Sequence, residues 1–256
     1  MRRKILAAAS AAALILSLSG CAGLLGGLQP RNPVTVVEDG SGGQDGGSDS
    51  EAEPTPSPDP DDEAEPDIDY EAIDQETADA ISVIDAFWAA HFSEFYEGAT
   101  YSSPTDYIPY VADDLPTCGG EEVVADNALY CIPDNTILWD QALMDYLYVN
   151  GGDAVIYLVI AHEWGHEIQA QLSDEAIWTA EELQADCFAG AALYGASDDG
   201  IFQWEDGDTA EITNALTFLA DQTEWTDIDS HGDPLDRIDA FNDGRVGGVA
   251  GCYPVE

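Results

Sequence analysis

The chain has 256 residues, 45% of them hydrophobic, enough to bury one sizeable core. Acidic residues number 52 against 6 basic ones, for a formal net charge of −46, so repulsion argues against nucleic acid and anionic lipid headgroups as partners. One catalytic domain is the expected count.

Met1-Arg2-Arg3-Lys4 is a short basic start, and Ile5 to Leu18 is an Ala- and Leu-rich apolar run too short to span a bilayer comfortably. Leu18-Ser19-Gly20-Cys21 then looks like a bacterial lipobox. Residues 1–20 therefore read as a lipoprotein signal peptide. Cys21 becomes the lipidated first residue of a mature chain held on the extracytoplasmic face of the cell membrane. The alternative is an ordinary secretory signal with an incidental cysteine.

Residues 21–66 form the expected tether, dominated from about Pro30 by Gly, Ser, Pro, Asp and Glu, with too few large apolar side chains to offset chain entropy by burial. It reads as a disordered, self-repelling acidic stalk ahead of a catalytic domain at 67–256. No lysine follows Lys4. That composition fits either a solvated acidic surface or adaptation to high salt.

From Tyr70 to Tyr96 the apolar residues Ile73, Ala80, Ile81, Ile84, Phe87, Trp88, Phe92 and Phe95 recur at helical steps, which predicts a long amphipathic helix with a broad buried face. His91 lies in it and is left out of any site, since a lone histidine there is more often packed than ligating. Between Pro104 and Trp139 the pattern shortens to Val123-Val124, Leu129 to Cys131 and Thr136 to Trp139, separated by turn formers, which predicts short strands of a small sheet. The Thr136 to Trp139 strand is either a free edge that pairs with an extended peptide or an interior strand with no edge to offer.

Asp140 to Val149 predicts a short helix stopped by Asn150-Gly151-Gly152. A helix from Asp153 to Gln171 follows, apolar on nearly all sides in its first half and therefore buried. It carries His162-Glu163-Trp164-Gly165-His166. Residues four apart share a helix face, so His162 and His166 can aim ring nitrogens at one zinc ion, with Glu163 beside them as general base. Gly165 costs roughly 1 kcal/mol relative to Ala in a helix interior, which suggests a close approach by another element.

A catalytic zinc site needs a third protein ligand. Glu182-Leu183-Gln184-Ala185-Asp186, on a predicted helix from Thr179 to Tyr194, supplies it: Glu182 as ligand, and Asp186, one turn on, as acceptor for the ring N–H of a ligating histidine. With Cys21 lipidated, Cys118, Cys131, Cys187 and Cys252 remain as an even set for two disulfides. Of the three possible pairings, Cys118 with Cys131 is the most economical because the segment between them can turn at Gly119-Gly120, leaving Cys187 with Cys252. A cysteine zinc site competes poorly, since no Cys-x-x-Cys pair is present.

The runs Asn127 to Cys131, Asp134 to Asp140, Gly151 to Asp153, Ile160 to His166, Glu182 to Gly190 and His231 to Arg237 resemble, in order, the bacterial neutral zinc metallopeptidases. The arrangement is similar to that of gluzincins. The resemblance implies His162, His166 and Glu182 as ligands of one catalytic Zn2+ and Glu163 as the base. The chain departs from the pattern at Glu167, whose charge is expected to raise the pKa of Glu163, and at Asp233-Pro234, where small hydroxyl residues are common. His231 is a candidate to stabilise an oxyanion or, alternatively, to buttress a helix. Arg237 is expected to pair with a buried carboxylate such as Asp186.

The expected fold is α+β and mainly helical, with a zincin-like active-site helix and a small sheet. The expected function is zinc-dependent hydrolysis of peptide or protein substrates by a membrane-anchored enzyme. The alternatives are a surface lipoprotein with a purely structural zinc, and a zinc amidase acting on cell-wall peptides.

Overall fold

The computed structural model describes residues 68–96, 99–221 and 231–253. The expected signal peptide, the lipidated Cys21 and the acidic tether lie outside them. Among the described residues no helix is long and apolar enough to cross a membrane.

The fold is α+β and mainly helical. In chain order it comprises α1 (Tyr70–Phe95), β1 (Asp106–Tyr110), β2 (Thr117–Cys118), β3 (Glu121–Glu122), β4 (Ala128–Cys131), β5 (Thr136–Asp140), α2 (Gln141–Gly151), α3 (Ala154–Gln171), α4 (Glu181–Asp198), α5 (Asp208–Phe218) and α6 (Pro234–Gly247). Helix α1 starts where the Asp69 side chain accepts the Ala72 N–H, and of the predicted stripe it buries Ile73, Ala80, Ile84, Phe87, Trp88 and Phe92, while Ile81 and Phe95 are only partly covered. Burial of each such large side chain stabilises the fold by about 1.5–3 kcal/mol.

Helix α3 runs through the middle of the domain. Its residues from Ala154 to Gly165 are all buried, as its all-round apolar sequence requires. Asp153 gives it no side-chain cap, and the carboxylate of Glu211 on α5 accepts the Ala154 N–H instead, at 3.2 Å. Helices α1, α2, α4 and α5 pack around it. Gly165 lets α4 come close: a Cβ there would lie 2.7 Å from the Ala185 Cα. Gly244 does the same for α4 and α6, since its Cβ would meet the Cys187 carbonyl oxygen at 1.8 Å.

The main sheet has the order β1-β5-β4, with β1 parallel and β4 antiparallel to β5. Strand β5 is thus interior, which decides the question left open for Thr136 to Trp139; its five residues are all buried. The free edge beside α3 belongs to β4. The Val123-Val124 strand expectation is corrected. Strand β3 ends at Glu122, and Val123 instead turns inward, its N–H bonded to the Pro116 carbonyl and its side chain packed in a small second core with Tyr110, Leu129 and Leu138.

The disulfides Cys118–Cys131 and Cys187–Cys252 are both formed, as the spacing suggested. The first joins the β2–β3 hairpin to β4, and the second ties the chain end to α4. Strand β1 and helices α5 and α6 had no counterpart in the sequence reading. For α6 a signal was present: Asp233 and Asp236 form a capping box around Pro234 at the first helical turn. The departure at Asp233-Pro234 is therefore a helix start.

Candidate active site

Helices α3 and α4, locked face to face at Gly165, bring His162, His166 and Glu182 together, each offering a ligand-type atom within 4.8 Å of the others. The rings of His162 and His166 stand perpendicular, with centroids 4.9 Å apart. Their Nε2 atoms lie 3.2 and 3.5 Å from one oxygen of Glu182. The Nδ1 atoms point away and are engaged elsewhere, by Asp186 at 2.8 Å and by Gln169 at 2.8 Å. Two imidazoles with their outer nitrogens held and their inner nitrogens facing a buried carboxylate make the donor set of a three-protein-ligand zinc site.

Electrostatics favour a cation at this point. Burial works against charge on His162, but Asp186, Glu182 and Glu163 outweigh it and push the ring up to about 10. Burial likewise opposes the charge on His166, and Glu182 raises it. Glu182 is buried too, yet the two histidines hold it well below the usual carboxylate range.

Asp186 lies wholly buried under His162 and receives both Nε and Nη2 of Arg237 at 2.7 Å. The Asp186 carboxyl is held low: burial raises it, but Arg237 and His162 prevail.

Glu163 sits on the β4 side of α3. Its carboxylate is buried, with the backbone N–H of Tyr130 near enough to favour its charged form. Burial raises its pKa first of all, and the charges acting on it come from His162 and His166, which lower it, and from Glu182, which raises it. The expected influence of Glu167 is not the prominent one. One turn further on, Glu167 is drawn away by Gln171, which donates to it, and lies among Tyr101, Tyr107 and Tyr130.

His231 comes to the same site from the chain before α6, with Nε2 3.8 Å from Glu182. Asp221 accepts its backbone N–H at 2.7 Å. Its pKa is lowered, first by burial and then by Arg237 and His162, against the opposing pull of Glu182 and Asp221. His91 is remote in role: it links α1 to the end of α4 through Asp199 at 2.7 Å. Gln169, Gln184 and the Tyr130 N–H were missed by sequence reasoning. Gln184 stood in the Glu182 to Asp186 run without an assigned task, and no sequence signal marks a backbone N–H.

Fold and site together define a two-helix His-His-Glu centre with the buried carboxylate of Glu163 beside it. Residues 9–244 match the family described as "Putative neutral zinc metallopeptidase", and the chain belongs to that family. Among curated proteins it is similar to "Uncharacterized protein YpfJ" of Escherichia coli strain K12. The two are 28% identical over 179 residues, which cover 62% of this chain and 55% of the relative. The protein of the same name in Escherichia coli O6:H1 matches equally. The chain thus spans about half the length of the curated relatives it matches. No solved structure matches it.

Proposed function

We propose that this protein is a zinc-dependent peptidase acting on extended peptide or protein substrates outside the cell, anchored to the membrane through lipid on Cys21. The observation that carries the chemistry is the convergence of His162 Nε2, His166 Nε2 and Glu182 beside the buried Glu163. A zinc ion held by those three residues supplies Lewis-acid chemistry at the scissile carbonyl. Glu163 takes the proton of the attacking water and passes it to the leaving amine. His231, with Nε2 3.8 Å from Glu182, is placed to donate a hydrogen bond to the oxyanion.

Strand β4 supplies a seat for the substrate backbone. The Asp140 N–H bonds the Asn127 carbonyl, so the β4–β5 register puts the bonded pairs at Leu129–Leu138 and Cys131–Thr136. Ala128 and Tyr130 therefore turn their backbone groups to the open edge, where an extended peptide can add as a strand. Export is supported by the lipobox-like start and by two disulfides, which persist in oxidising compartments.

Metal analysis combined with a peptide-library cleavage assay tests the reading. Wild type should bind one zinc and cleave, whereas Glu163→Gln should keep the metal and lose at least about 100-fold in rate. Full activity in Glu163→Gln would refute the assignment of the base. Cleavage of purified peptidoglycan but not of denatured protein would move the substrate to cell-wall peptides.

A further inference from the structure

Behind the metal ligands, two glutamines connect the metal centre to the C-terminal disulfide. Gln169, on α3, accepts from His166 Nδ1 at 2.8 Å and donates through Nε2 to the Glu181 carbonyl at 2.7 Å and to Gln184 Oε1 at 3.1 Å. Gln184, on α4, is wholly buried. Its Oε1 also accepts the Trp178 N–H at 3.1 Å, and its Nε2 donates to the carbonyls of Ala176 at 2.8 Å and Cys252 at 2.9 Å.

The polarity of this chain is set by backbone groups, which cannot reverse roles. A peptide N–H only donates and a peptide C=O only accepts, so Trp178, Ala176 and Cys252 leave one orientation for the Gln184 amide. Gln184 Oε1 then requires a donor from Gln169, and the Glu181 carbonyl requires the same. Gln169 must therefore present its oxygen to His166. An acceptor at Nδ1 calls for the proton there, which leaves the Nε2 lone pair facing Glu182.

We propose that Gln169 and Gln184 are positioning residues that fix the tautomer and ring orientation of His166 for metal binding, with the relay anchored at the Cys252 carbonyl. The proposal rests on the zinc-centre reading above and extends it to residues that touch neither metal nor substrate. It also assigns a task to the chain end: the Cys187–Cys252 disulfide holds the acceptor that orients Gln184. Asp186 serves His162 by charge, whereas His166 is served by a neutral amide whose direction the backbone dictates.

The test is zinc affinity by chelator competition, read beside 15N–1H histidine spectra of the zinc-loaded full chain, for wild type, Gln169→Met and Gln184→Met. Methionine keeps much of the volume and removes the hydrogen bonds. Expected are a loss of about 10- to 100-fold in affinity in each variant and loss of the single Nδ1–H signature of His166, with helical circular dichroism retained. Should Gln184→Met fail to fold, Gln169→Met alone decides. Zinc affinity within about twofold of wild type in Gln169→Met, with one unchanged His166 tautomer, would overturn the proposal. Wild type that binds no zinc would overturn the functional reading itself, a result separable from the first because every variant would then be equally silent.

Discussion

Asp186 and Arg237 form a bidentate pair, both contacts 2.7 Å, in which neither side chain retains appreciable exposure. The same carboxylate holds His162 Nδ1, so the pair is at once a clamp between α4 and α6 and the support of a proposed metal ligand. Removing one partner strands the other charge in the core. Arg237→Met should destabilise the fold by about 3–5 kcal/mol and weaken zinc binding, measured by denaturant unfolding and chelator competition. Unchanged stability would show that the pair contributes no net free energy.

Gly165→Ala adds a methyl where the Ala185 backbone already stands, 2.7 Å from its Cα. Neither helix backbone can yield locally, so α3 and α4 must separate. The expected cost is about 1–3 kcal/mol, accompanied by weaker metal retention because His166 and Glu182 move apart. Loss of stability with zinc affinity intact would mean that the helices adjust without opening the site.

Glu167 supplies a pH signature. Burial drives its carboxyl up from 4.5 to about 8, with Gln171 opposing and Asp85 adding to the rise. Between those values the folded protein keeps a proton that the unfolded chain has released. Its contribution is thus fully present below the unfolded value and is lost as pH rises through about 8. Glu167→Gln should match wild type near pH 4 and exceed it by a few kcal/mol, to order of magnitude, above pH 8. Chemical denaturation across this range would show parallel curves if the residue titrates normally.

The disulfides differ in the loop each closes, with sequence separations of 13 for Cys118–Cys131 and 65 for Cys187–Cys252. Chain entropy alone predicts losses of about 3 and about 4 kcal/mol when each pair is replaced by serine. The second replacement should also weaken zinc binding more than the first, because it frees the Cys252 carbonyl. Equal zinc affinities in the two double-serine variants would contradict that.

The acidic surface predicts a salt response. With 52 acidic and 6 basic residues, self-repulsion in the compact state is screened by added salt. The thermal midpoint should rise from low to molar sodium chloride. Equal midpoints would rule out adaptation to high salt.

Helices α1, α3 and α4 were legible because their signal is local: apolar residues three and four apart, each close in sequence to its neighbours on the same face. The pairing of His162 with His166 has the same origin. Strand β1 gave no such sign, since its parallel pairing with β5 joins residues thirty positions apart in register, from Asp106 with Thr136 onward. A short strand acquires its identity from such a partner.

By itself, then, the sequence determined the chemistry available: two imidazoles on one helix face with a carboxylate one step round, a carboxylate pair on the next helix, and four cysteines besides Cys21. Only the tertiary structure decided that β4 rather than β5 presents the open edge, that Gln169 meets His166, and that Gln184 answers to Cys252. Side-chain periodicity is written along the chain, whereas a hydrogen bond between distant backbone and side-chain groups exists only once packing has removed water and left each group a single partner.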